Sequence, residues 1–186
     1  MGLFEYISVA FSVVLSLSAA QLLSNIRTVF DPARRDLVHG LWVIHLLILH
    51  VVVWWSGWAF RDASWNLGSF SLVLSAPALL FVASNALLPS SPTESMRDHF
   101  RSHRTLFFAA RGLLVFSSIG VSYLLLGTPL LAPERLVSVL ILLICAAGFV
   151  SANHRLQVVI AIVGLSIEIL VVGYLRFDAG SWADPP

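Results

Sequence analysis

The chain is 186 residues long, 58% hydrophobic and 11% charged, with a formal net charge of +1. About a quarter of the residues in a soluble domain are charged, so this composition excludes an ordinary soluble domain and indicates an integral membrane protein. All eleven basic residues are arginine and Cys145 is the single cysteine; this rules out a Schiff-base or P-loop lysine, an intramolecular disulfide, a CxxC redox pair and a thiolate metal cluster.

Apolar stretches near twenty residues, the length that crosses a hydrocarbon core of about 30 Å, occur six times. They cover roughly 3–25, 37–60, 66–88, 105–127, 134–152 and 155–176. The expected fold is therefore all-α, a single six-helix transmembrane bundle. The first stretch lacks a basic n-region and runs past the usual length of a signal-peptide core, so it reads as a span.

The separators carry helix-start chemistry. Asp31-Pro32 reads as N-cap and first helical residue before the second span. Ser91, Pro92, Thr93 and Glu94 form a capping-box pattern, and Pro133-Glu134 precedes the fifth span. The longest polar segment is about 89–104, leaving no room for a soluble domain. Within it, Arg97, Arg101 and Arg104 continue to Arg111 along one helical face, while Met96, Phe100 and Phe107 follow another. That pattern predicts a cytoplasmic amphipathic segment over about 91–104, its arginines on anionic lipid head groups.

Eight arginines fall on the side of the loops after spans one, three and five, and three (Arg61, Arg135, Arg176) on the other. The arginine-rich side is then cytoplasmic and both termini are outside, periplasmic in a bacterial inner membrane. Trp54, Trp55, Trp58 and Trp65 form an aromatic belt at the outer end of span two. Two halves of three helices would point in opposite directions, the arithmetic of an inverted repeat, although only Asp31-Pro-Ala-Arg-Arg and Ala132-Pro-Glu-Arg are alike.

Glu168 is the most informative residue, because a carboxylate between apolar neighbours must be paired, hydrated or protonated, and turns inward. Counting about 1.5 Å per residue from the cytoplasmic helix starts, Glu168 and His50 both lie about 20 Å deep, which makes them the expected proton-exchanging pair. A shallower polar vestibule is expected from His45, Arg111, Gln21, Asn25 and Asn85. Span one carries small residues every fourth position (Ser8, Ser12, Ser16, Ala20, Ser24), suited to close helix packing or to a narrow wet path. Pro77 interrupts span three.

No protease, nucleophile-elbow or paired-carboxylate motif is present, so an enzyme is not expected, and neither is a cofactor or a metal. The leading expectation is a small homo-oligomeric channel or transporter for protons or a small ion or solute. The alternatives are a non-conducting scaffold or accessory subunit and, as a minor case, a haem protein using His39 and His103. The lipid bilayer is the expected partner; nucleic acid is not.

Overall fold

The computed structural model describes residues 2–89, 94–133 and 135–174. Among these the chain is wholly helical: α1 (Leu3–Ser24), the short α2 (Ile26–Val29), α3 (Leu37–Ser56) with a 3-10 turn at Gly57–Phe60, α4 (Leu67–Leu87), α5 (Met96–Leu126), α6 (Arg135–Val150) and α7 (His154–Tyr174). Five helices (α1, α3 with its 3-10 turn, α4, α5 and α7) are long and apolar enough to cross a membrane; α6 is apolar but has 16 residues. Large apolar side chains stay exposed on the outside, among them Val13 of α1, Phe116 and Leu124 of α5 and Leu170 of α7. Such continuous apolar exteriors are those of a helical membrane protein.

Helix starts differ from the sequence reading in a physically clear way. Asp36, not Asp31, is the N-cap of α3 and accepts the His39 N–H at 3.1 Å. Asp31 caps only a turn: the Ala33 N–H and, beyond it, Arg34 hold its carboxyl below the usual range. Residues 91–93 and Glu134 lie outside the described residues, as do Arg176 and the C-terminal tail. Residues 96–104 are the first turns of the uninterrupted 31-residue α5, and Met96, His99 and Phe100 are buried in the bundle; this is not a separate helix on the lipid surface. The apolar stripe therefore faces protein. α4 runs through Pro77 without a break.

Antiparallel contacts fix the arrangement. α4 meets α5 where Ser75 hydrogen-bonds Ser117, and again where the Ala86 carbonyl meets His99. α6 returns along α5 from Ser122, bonded by Arg135 Nη1 at 2.9 Å, to Arg104, whose Nε donates to the Ser151 carbonyl at 3.2 Å. α5 ends on Gly127 with φ +67°, the left-handed conformation glycine adopts at no steric cost. α7 packs along α3, and α1 along α4.

Trp42 is the centre of the core, with ring centroids 5.1 Å from Phe107 and 5.4 Å from Phe108. Two glycines seat these rings. A Cβ on Gly148 would lie 2.2 Å from Phe108, and one on Gly164 would lie 3.3 Å from Trp42. α6 and α7 can approach the aromatic layer only without side chains at those positions.

Gly148→Ala should therefore cost about 1–3 kcal/mol through overpacking, read as a lower unfolding midpoint in detergent. Gly173→Ala, whose Cβ would meet nothing within 4 Å, serves as the control. Equal midpoints would contradict the packing.

Candidate functional site

The deep carboxylate lies inside the bundle, 8% exposed. Its partner is His45, with His45 Nδ1 and Glu168 Oε2 2.8 Å apart. The two atoms are within reach of a proton transfer, although neither makes a regular hydrogen bond.

The expected Glu168–His50 pair is not formed. His50 Nδ1 sits 2.6 Å from the Leu46 carbonyl and Nε2 2.7 Å from Ser18 Oγ, which in turn bonds Ser84 Oγ at 3.0 Å. The depth count failed because it assumed helices in step. Trp42 meets Gly164 and His45 meets Glu168, so residues five and eight past the start of α3 lie against residues ten and fourteen past the start of α7. α7 is out of register with α3 by more than a turn.

Arg111 joins the same cluster. It is 4% exposed and its guanidinium carbon lies 5.1 Å over the Trp42 ring, a cation–π contact. It faces Cys145 of α6 and lies near enough to Glu168 and His45 to interact electrostatically, without a direct ion pair to the carboxylate. Four helices thus contribute: Trp42 and His45 from α3, Arg111 from α5, Cys145 from α6 and Glu168 from α7. Arg111 Nε and Nη1, Trp42 Nε1, both His45 nitrogens and both Glu168 oxygens are buried there without hydrogen-bond partners. Buried polar atoms are ordinarily paired, so such a concentration calls for water or a small polar ligand among them.

The expected vestibule does not assemble around this centre. Asn85 is exposed and donates to the Phe81 carbonyl of its own helix. Asn25 donates to the Gln21 carbonyl at the end of α1, and Gln21 keeps a buried, unpaired Oε1. Of the arginines expected on lipid head groups, Arg97 bonds Asp36 at 3.3 Å and Arg104 holds the end of α6, while Arg101 is exposed. The small-residue stripe of α1 faces away from its buried side, which is Ile7, Phe11, Leu15, Ser18 and Leu22.

At the arginine-rich end, histidines close helix ends. His39 Nε2 lies 2.5 Å from the Leu87 carbonyl, and His99 lies 3.2 Å from the Ala86 carbonyl and 3.0 Å from Glu94. His103 stacks on His99, ring centroids 4.3 Å apart. His39 Nε2 and His103 Nδ1 are thus held at backbone carbonyls, and among the described residues no group of three or more His, Cys, Asp or Glu side chains that could hold a metal ion is found. Gln157 of α7 does similar work for α6, donating to the Gly148 and Ser151 carbonyls. Sequence reasoning missed Asp36, Trp42 and Cys145. The signal for Asp36 was available, an aspartate directly before the apolar run that starts at Leu37; for Trp42 and Cys145 there was none.

No family model, curated protein or solved structure matches the chain, so the class rests on its own helices and buried cluster.

Arg111→Leu should destabilise the protein by about 2 kcal/mol, because it removes the buried cation–π contact with Trp42 and a positive charge near Glu168. In a double-mutant cycle with Glu168→Leu, the pair should cost less than the sum of the single changes by about 0.5–3 kcal/mol; additive losses would show the two groups to be uncoupled. Asp36→Ala should cost about 0.5–2 kcal/mol in the same unfolding assay, and Asp31→Ala distinctly less.

Proposed function

We propose that the protein is a small transporter or channel that moves protons, or a small ion or solute together with protons, through the cluster of Glu168, His45 and Arg111. The observation that carries this reading is the gathering of unpaired, buried polar atoms from three ionisable side chains in mid-bundle. Ionisable groups at such depth are costly and mark proton relays and ion pathways. Arg111 supplies a fixed positive charge, against which Glu168 and His45 exchange a proton over 2.8 Å. His50, bonded to Ser18 and to its own helix, has a structural role in this reading.

The same proposal includes six spans. The end-to-end contacts of α6 along α5, from Ser122 to Arg104, support a crossing despite its 16 residues. With six spans and the arginines at one end, that end is cytoplasmic and both termini are periplasmic in a bacterial inner membrane. The opposed three-helix halves are kept as an inverted repeat. Apolar faces left outward on several helices support a homo-oligomer, and the exposed Arg101 supports contact with anionic lipid head groups.

One observation favours the second reading, a non-conducting scaffold: the cluster is closed off, with His45 1% and Glu168 8% exposed. A buried polar centre can fix helix register without moving anything.

Proteoliposomes with a trapped pH-sensitive dye separate the two. Wild-type protein should carry a proton flux that falls about tenfold or more in Glu168→Gln and in His45→Phe, the scale on which proton-transfer groups act, and that survives His50→Gln. A flux unchanged by the first two substitutions would overturn the proposal. No flux at all, with a stoichiometric protein partner retained in mild detergent, would establish the scaffold.

A further inference from the structure

A separate cavity lies at the end of the bundle opposite the arginine-rich one, and beside it Arg61 stands over the Trp58 ring at 5.7 Å. Its volume is about 590 Å³, and it is half enclosed between the first turns of α1 and the end of α3 with its 3-10 turn, with Trp65 and Val73 completing the wall. The lining is apolar apart from Glu5, Ser8 and Ser12. Phe4 and Trp58 close it at the tip with an edge-to-face contact, ring centroids 6.2 Å apart.

Three observations define an occupant. The volume is that of a small-molecule site, about 300–1,000 Å³, and an apolar space of this kind is a poor host for water. Trp54 and Trp58, at the level of the cavity, are 56% and 50% exposed, as side chains at the depth of lipid head groups are. The cavity also shares Ser8, Val9 and Ser12 with a shallow groove that follows the outward small residues of α1 as far as Ala20. That groove extends about 18 Å along the helix, with space where larger side chains would stand.

We infer that the cavity binds one hydrocarbon chain of a bilayer phospholipid, its tail following the groove beside Ser12, Ser16 and Ala20. A helix from a second copy, about 10 Å across, is too wide for a space closed by Phe4 and Trp58. The bilayer supplies the chain, and its carbonyl layer lies at the depth where tryptophan rings collect.

The test is tryptophan quenching in vesicles of phosphatidylcholine brominated on its acyl chains, with the Trp65 signal taken as the difference between each protein and its Trp65→Phe counterpart. Trp65 should lose most of its emission although it is half-buried. Gly57→Leu fills the cavity from a backbone position (φ −56°, ψ −28°) that any residue adopts, and Val73→Phe fills it from the opposite wall. In both, Trp65 should recover while Trp54 and Trp58 remain quenched. Unquenched Trp65 in the wild-type protein, or equal quenching in the filled variants, would overturn the inference. A cross-link between α1 helices of two copies that shields Trp65 would overturn it in favour of a protein occupant.

Discussion

Arg111 in the middle of an apolar bundle sets the terms for the rest of the molecule. A guanidinium cannot be neutralised by losing its proton at ordinary pH, so the surrounding helices must supply a counter-charge and an electron-rich surface. Glu168 of α7 stands near enough to act as the first, and the Trp42 ring supplies the second from α3. Both requirements constrain register. α7 must slide more than a turn relative to α3 to place its carboxylate level with His45, and that slide is possible because Gly164 lets α7 approach Trp42. Gly148 does the same for α6 against Phe108. The glycine seats and the charge cluster are thus one arrangement seen from two sides.

The helix ends show a second constraint, the last-turn carbonyls that have no partner within their own helix. At the arginine-rich end these are met by side chains from neighbouring helices. His39 and His99 take the end of α4, Gln157 and Arg104 take the end of α6, and Asp36 ties the start of α3 to Arg97 and to His154 at 3.7 Å. Each of these links joins two helices, so this end is cross-tied by polar contacts. The opposite end is held largely by aromatic contact, and it is there that the apolar cavity opens.

The helical class and most element positions could be read from hydropathy because twenty-residue apolar runs have one physical solution in lipid. The inward turn of Glu168 was legible for a similar reason: the cost of a lone carboxylate allows few other placements. Its partner was not. His45 and His50 are both histidines on one helix, and choosing between them requires the offset between α3 and α7, which depends on glycine–aromatic contacts between residues far apart in sequence. Arg111 extends the helical spacing of Arg97, Arg101 and Arg104 and so reads as part of a surface stripe. Only the insertion of α5 between α4 and α6 separates a buried arginine from its exposed neighbours. The stripe of small residues on α1 illustrates the reverse limit, since spacing identifies a face but not what the face meets.

Stability alone is a weak reason for such a centre. Replacing a buried ion pair with apolar side chains of similar volume is often neutral or favourable, and the penalty for charge is larger in hydrocarbon than beneath a water-exposed surface. Leu or Phe at positions 45, 111 and 168 would satisfy the packing of an inert bundle without the six buried polar atoms of these side chains that make no hydrogen bond. The fold instead gives up side chains at Gly148 and Gly164 to bring His45, Arg111 and Glu168 together, and leaves their hydrogen-bonding capacity largely unused. That unused capacity is what the proposed proton path rests on, and His45 and Glu168 are both side chains able to hold a proton.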